Sequence, residues 1–402
     1  MHRKFTADHI FSGFNFLPDN KVLITDELGS IIHIADRRDA GDGIENFAGI
    51  LCPGFINAHC HLELSYLKNT IPEKTGLVDF VQQVMQKRWV SAHNKLKAEE
   101  EKEALMITAV NEMYNTGIVA VGDICNTTDS LSVKLNSTIN WHNFIEASGF
   151  VDNVAEKRLE DVAKVYDAFV KNGLIASTTF SPHAPYSVSK KLFEFLNNLT
   201  AKQLITIHNQ ETAAEDELYL YKSGDFLSLY KNFGIDNTGF SPTGLSSLQS
   251  WLPYFTKSQS IISVHNTFIS GDDIAFAQDH AIQCGSNLFF CLCVNANMYI
   301  ENKMPPIQLL MDYGAQIVVG TDSYASNWQL NILEEIKTIQ SKTNNTISLE
   351  ESLKWATSNG AKALQMDHLL GSFEKGKLPG IVLIENIKGL LLNPNSSARR
   401  IL

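Results

Sequence analysis

The chain has 402 residues, 44% of them hydrophobic and 19% charged, enough apolar material for a sizeable core and too ordered a composition for wholesale disorder. Its net charge of −11 argues against a general binder of nucleic acid or of anionic membranes. No run reaches the roughly 18–20 apolar residues of a membrane helix, and the length suits one large domain with a smaller one, or two ordinary domains.

The first residues, Met1-His2-Arg3-Lys4-Phe5-Thr6-Ala7-Asp8, carry an early acid and no apolar signal core, so a secreted product is not expected. From 5 to 50 the runs are short and strand-like, as in Lys21-Val22-Leu23-Ile24 and Ile31-Ile32-His33-Ile34. Buried-strand signals then predict strands at 55–61, 118–123, 139–146, 174–181, 204–208, 261–265, 287–294 and 316–322. Helical stretches fall between them at 99–114, 153–171, 190–198 and 330–341. This alternation is the signature of parallel β/α units, and eight strands are what a closed barrel of that kind needs. The stretch 70–115 is longer than a standard crossover and is expected to overhang the barrel mouth. After Gly376 and Pro379, Gly380-Ile381-Val382-Leu383-Ile384 returns to the strand pattern, so both chain ends are expected to build one small sheet domain. Cys52, Cys60, Cys125, Cys284, Cys291 and Cys293 form no Cys-X-X-Cys pair and sit mostly in apolar runs, which points to free thiols and a reducing cytoplasm.

Four of the predicted strands end on residues that bind metals or titrate. His59-Cys60-His61 closes the first, His208 follows Leu204-Ile205-Thr206-Ile207, His265 follows Ile261-Ile262-Ser263-Val264, and Asp322 follows Val318-Val319-Gly320-Thr321. Side chains two apart on a strand share a face, so His59 and His61 are half of a metal site. In a parallel barrel all such ends meet at one mouth. Three imidazoles and a carboxylate suit Zn²⁺, with Fe²⁺ or Mn²⁺ accepted by the same ligands. A metal held there acidifies water from about 15.7 towards about 7. Proton traffic then needs a shuttle, and Glu211, three residues beyond His208, stands on the loop leaving that strand. The competing reading is that Glu211 merely opens the helix that follows. His265 is read either as a satisfied structural histidine or as a group facing the activated water, and Asp322 as ligand, base or both.

Together Pro53-Gly54-Phe55-Ile56-Asn57-Ala58-His59-Cys60-His61, Ile207-His208-Asn209-Gln210-Glu211-Thr212, Ser263-Val264-His265 and Gly320-Thr321-Asp322-Ser323 resemble the amidohydrolase superfamily, in its mononuclear deaminase and chlorohydrolase branch. The resemblance spans nearly the whole chain. It implies an α/β protein: a distorted (β/α)₈ barrel over 51–376, with a small β-sandwich made by 1–50 and 377–402. It also implies one divalent metal on His59, His61, His208 and Asp322, with Glu211, His265 and Asp322 catalytic. Ser181-Pro182-His183-Ala184-Pro185-Tyr186 is similar to segments that touch the substrate in adenosine-type and S-adenosylhomocysteine-type deaminases, which makes His183 a substrate contact. His61-Leu62-Glu63 resembles aminofutalosine deaminases and adds Glu63 as a second contact. Two segments depart from the pattern: Cys293-Val294-Asn295-Ala296-Asn297 lacks the usual proline and serine, and Gly376-Lys377-Leu378-Pro379-Gly380 lacks the usual acid. No lysine ends the fourth strand, so a bridged metal pair is not expected. The expected activity is hydrolytic deamination of a small 6-aminopurine nucleoside-like molecule such as S-adenosylhomocysteine, adenosine or aminodeoxyfutalosine. The rivals are hydrolysis of an amide, cyclic amide or ring halide, and a non-catalytic barrel scaffold. A homo-oligomer is compatible with all of them.

Overall fold

Each of the eight internal runs forms a strand in the computed structural model, which describes residues 2–93 and 97–402, with 89–93 and 97–98 given by backbone alone. In chain order the strands are β1 (Arg3–Ile10), β2 (Lys21–Thr25), β3 (Ile31–Asp36), β4 (Ile44–Pro53), β5 (Phe55–Cys60), β6 (Ile118–Cys125) and β7 (Asn140–Ala147). They continue with β8 (Thr178–Pro182), β9 (Leu204–Asn209), β10 (Ser260–His265), β11 (Asn287–Leu292), β12 (Ile317–Val319), β13 (Ile381–Glu385) and β14 (Ser397–Arg400). β5 to β8 form one parallel sheet in sequence order and β9 to β12 a second. Every residue of β5, β6, β8, β9, β10 and β12 is buried, as parallel strands covered on both faces require.

Hydrogen bonds cross both gaps between the two sheets. On one side the His208 N–H donates to the His183 carbonyl at 2.9 Å and the Thr206 N–H to Ser181 Oγ at 3.2 Å. On the other, the N–H groups of Thr321 and Asp322 both donate to the His59 carbonyl at 3.1 Å, and Cys60 bridges Asp322 in parallel register. Gly320 makes the second approach possible, because a Cβ there would lie 2.9 Å from Cys291 Sγ, His59 Cβ and the His59 carbonyl oxygen. Gly320→Ala is therefore expected to destabilise the fold by roughly 1–3 kcal/mol through overpacking. A denaturant midpoint equal to the wild type's would show that this contact is slack.

Two predicted strands are much shorter than the sequence suggested. Residues 175–177 form a 3₁₀ turn, and β8 begins only at Thr178, whose hydroxyl donates back to the Leu174 carbonyl at 2.7 Å. β12 stops at Val319 because the next residues turn across to β5. The long stretch after β5 holds helices α1 (Leu77–His93) and α2 (Lys97–Asn115). The other predicted helices appear at Ala155–Lys171, Lys190–Leu199 and Ile332–Lys342.

Both chain ends meet in one six-stranded sheet of order β14-β13-β4-β1-β2-β3, in which β1 and β4 are parallel and the other pairs antiparallel. The sequence suggested a sandwich; the pairings found are those of a single sheet. Alternation along β13 decides how it packs. Ile381 and Leu383 join a cluster with Phe5, Leu23 and Leu51, whereas Val382 and Ile384 join the large core shared with the parallel strands. All six cysteines are free. Among the described residues no helix is long and apolar enough to cross a membrane.

Candidate metal centre

His59 on β5, His61 just beyond it, His208 on β9 and Asp322 after β12 converge at the C-terminal ends of their strands. His61 Nε2 lies 3.2 Å from His59 Nε2 and 3.1 Å from His208 Nε2. Asp322 Oδ1 lies 3.4 Å from His61 Nε2 and 3.7 Å from His59 Nε2. Ligands at about 2.0–2.1 Å from a tetrahedral ion are about 3.3 Å apart, so these separations match the edges of such a shell. The His208 ring is oriented by Nδ1–H donating to the His183 carbonyl at 2.8 Å, which leaves Nε2 its lone pair. Ser326 Oγ donates to Asp322 Oδ2 at 2.5 Å and leaves Oδ1 for the cluster. Around this centre three buried polar atoms, His59 Nδ1, His265 Nε2 and Glu146 Oε1, lack a hydrogen-bond partner among the described residues. Such orphans concentrate where a structure serves chemistry rather than stability. The donor set fits one divalent metal ion.

Burial pushes the His61 and His208 imidazoles well below their usual pKa, so both are neutral and fit to ligate. For Asp322, burial opposes ionisation. The contacts with His59, His61 and His265 overcome it and hold the carboxyl well below the usual carboxylate range. The backbone is also strained at this mouth: φ is +44° at Gln210, +72° at His265, +55° at Asn266 and +56° at Asp322, all non-glycine residues.

Glu211 and His265 meet beside the cluster, with 3.5 Å between Glu211 Oε2 and His265 Nε2. Burial first, then the charges of Asp322 and Glu215, raise the Glu211 carboxyl well above its usual range. The helix that the competing reading has Glu211 open starts at Ala213. Glu215 on that helix turns back and accepts the N–H groups of Gln210 at 2.9 Å and Glu211 at 2.8 Å, fixing the turn. His265 donates through Nδ1–H to Asn297 Oδ1 at 3.1 Å, and Asn297 in turn bonds Thr267, so Nε2 is the ring's free acceptor. Burial lowers the His265 pKa to about 4.

Of the two expected substrate contacts, His183 lies against the cluster. Its ring centre lies 4.9 Å from that of His208, and Ser187 Oγ holds its Nδ1 at 2.6 Å. The Glu63 carboxylate accepts the N–H groups of Asn126 and Thr127, just after β6, both at 3.1 Å. Sequence reasoning missed Glu215, Asn297, Ser326, Asn126 and Asp123. Asp123 accepts the N–H of Leu62 at 2.7 Å, directly after His61, and is paired with the buried Lys134 at 2.5 Å. It also missed Glu146, although Glu146 closes the predicted run 139–146 as His208 closes its own.

Residues 50–398 match the sequence pattern of the Amidohydrolase family. The chain belongs to that family. As an amidohydrolase it is a hydrolase acting on C–N bonds. This amidohydrolase is 25% identical over 395 residues to a 5'-deoxyadenosine deaminase of Methanococcus maripaludis, covering 93% of this chain and 83% of that protein. It is 28% identical over 362 residues to a 5-methylthioadenosine/S-adenosylhomocysteine deaminase of Thermoanaerobacter pseudethanolicus, covering 85% and 74%. In fold it matches the Helicobacter pylori aminofutalosine deaminase crystallised with methylthio-coformycin, with a TM-score of 0.80 and 21% identity over 96% of this chain and 93% of that one. A zinc-bound adenosine deaminase of Xanthomonas campestris matches with a TM-score of 0.69 and 21% identity, covering 95% and 84%.

Proposed function

We propose that this amidohydrolase hydrolytically deaminates the 6-amino group of a purine nucleoside with a modified 5' position. The observation that carries the reading is the convergence of His59, His61, His208 and Asp322 beside the Glu211–His265 pair. The names of the deaminase relatives support the substrate class. His59, His61, His208 and Asp322 would hold the divalent ion, with Zn²⁺ the favoured identity and Fe²⁺ or Mn²⁺ the alternatives. That ion supplies Lewis acidity that acidifies water at neutral pH. Glu211, kept protonated by burial, gives its proton to a ring nitrogen of the base, so the carbon bearing the amine becomes electrophilic. His265 Nε2, unprotonated because Nδ1–H faces Asn297, orients the attacking water, and Asp322 Oδ1 takes its proton. That proton passes to the departing amine, and the proton left on the new hydroxyl returns to Glu211 as the oxo product forms. The sum is substrate plus water giving the oxo product and ammonia.

His183 and Glu63 are assigned to the nucleoside, and the Glu63 carboxylate also braces the Asn126–Thr127 loop. The two parallel sheets are read as one closed (β/α)₈ barrel over 51–376, on the strength of the hydrogen bonds across both gaps. Residues 1–50 and 377–402 are read as the small β domain, and the free thiols favour a cytoplasmic setting. Ammonia release from 5'-deoxyadenosine, methylthioadenosine, S-adenosylhomocysteine, adenosine, aminodeoxyfutalosine, guanine, cytosine and triazines tests the assignment. Turnover of 5'-deoxyadenosine, methylthioadenosine, S-adenosylhomocysteine or aminodeoxyfutalosine is expected, and turnover of adenosine alone would remove the 5' modification from the reading. Release of halide or of an alkylamine from triazines, with no adenosine-type turnover, would replace deamination by the ring-hydrolysis reading.

A further inference from the structure

We propose that Arg88, Asn126 and Glu146 form a relay from helix α1 to His208 that strengthens metal binding, an inference that rests on reading His208 as a ligand. Glu146 is the last residue but one of β7 and is only 6% exposed. Its Oε2 accepts Asn126 Nδ2 at 2.7 Å, while Oε1 has no hydrogen-bond partner among the described residues and lies 3.8 Å from His208 Nδ1. The His208 proton is on Nδ1, because the group it faces at 2.8 Å is the His183 carbonyl, which only accepts. Nε2 therefore carries the lone pair and points to His61 Nε2 at 3.1 Å. The Glu146 carboxylate stands behind the ring, on the proton side. When Nε2 shares its electron pair with a cation, Nδ1–H becomes more positive, and a carboxylate at that place in a low-dielectric site stabilises the charge.

The carboxylate is held there from outside the strand layer. Arg88 Nη1, on α1, donates to Asn126 Oδ1 at 2.8 Å, and the Asn126 N–H donates to Glu63 Oε2 at 3.1 Å. With its amide oxygen held by Arg88, Asn126 must present Nδ2 to Glu146. The insertion after the first parallel strand thus reaches a proposed metal ligand on the fifth.

Glu146, His183 and His208 also place one donor atom each within 4.8 Å of the others, as a second cation site would. His208 has no nitrogen to give it: Nδ1–H serves the His183 carbonyl and Nε2 the main centre. His183 Nδ1 already faces Ser187 Oγ at 2.6 Å. Glu146 with one nitrogen of His183 is too small a ligand set for a second ion.

The test is Zn²⁺ affinity of the full-length protein, measured by competition with a chromophoric chelator and accompanied by the unfolding midpoint of the metal-free form. Glu146→Gln is expected to weaken Zn²⁺ binding roughly tenfold, the lower end for a carboxylate behind a histidine ligand, with the metal-free midpoint unchanged. Glu146→Asp restores part of the loss because the charge returns. Asn126→Ala gives a smaller loss and decides the matter if Glu146→Gln does not fold. Affinity within about twofold of wild type in Glu146→Gln, or in Asn126→Ala where that variant decides, overturns the relay alone. Loss of a second Zn²⁺ equivalent in Glu146→Gln overturns it in favour of a direct ligand. A wild-type chain that takes up no Zn²⁺ overturns both the relay and the metal reading.

Discussion

Glu211→Gln is expected to lose turnover by roughly 10²–10⁴-fold, the usual worth of a positioned general acid or base, while keeping its bound metal. The substitution preserves shape and the backbone clasp of Glu215 on Gln210 and Glu211, so the turn should survive. What disappears is the acidic proton. A glutamine amide cannot protonate a ring nitrogen, and it cannot take a proton back as the oxo product forms. Because Glu211 is assigned no place among the metal's donors, metal content measured by atomic absorption should stay near one per chain. Turnover above a tenth of wild type would remove Glu211 from the proton path, and loss of the metal with the activity would make it a ligand instead.

Lys134→Met should cost roughly 3–5 kcal/mol of stability, the penalty for stripping one partner from a buried ion pair. Lys134 is 1% exposed and Asp123 fully buried, with 2.5 Å between them. The ammonium also donates to Asn143 Oδ1 at 2.9 Å and to Cys125 Sγ at 3.0 Å. Methionine fills the same volume but leaves the Asp123 anion unpaired in an apolar layer. Burial opposes the lysine's charge, yet Asp123 outweighs it and raises the pKa above the ordinary lysine value. A raised cationic pKa stabilises fully below the unfolded value of about 10.4 and is lost only as pH climbs through the folded one. The deficit of the variant should therefore be flat from pH 6 to 9. Asp123 also holds the backbone N–H of Leu62, so the variant should lose metal affinity through a loosened His61. Urea titration of both proteins checks the first claim. A midpoint within error of wild type would mean that the pair contributes nothing net.

The parallel strands and the side chains that converge at the candidate metal centre were legible in the sequence for one physical reason. Buried strands read as continuous apolar runs, and a polar residue ending such a run has few places to go except the mouth. His59, His61, His208, His265 and Asp322 were found in this way. Glu146 obeys the same rule and was overlooked because a carboxylate closing a strand, without a partner in the sequence, looks like a solvated end. Asn297, Ser326 and Glu215 act through hydrogen bonds between segments whose proximity is created only by folding, and local composition does not encode that. The short β12 has a similar cause. Its apolar run continues to Gly320, but Thr321 and Asp322 leave their own sheet to bond the His59 carbonyl. Glu63 is a different case, since its place in the sequence did not reveal that its carboxylate also accepts the N–H groups of Asn126 and Thr127.

Only Gly54 separates β4 from β5, and its N–H is pinned to the Pro379 carbonyl at 3.0 Å. On the far side of this joint β4 is locked in register by β13, with Pro53 opposite Ile381 and Cys52 opposite Val382. The terminal sheet consequently works as a depth gauge for the ligand strand. One residue inserted between Gly54 and His59 would advance that histidine by about 3.3 Å and swap it to the opposite side of the pleat. The chain's two ends, remote from any chemistry, thereby set the height at which the first imidazole stands.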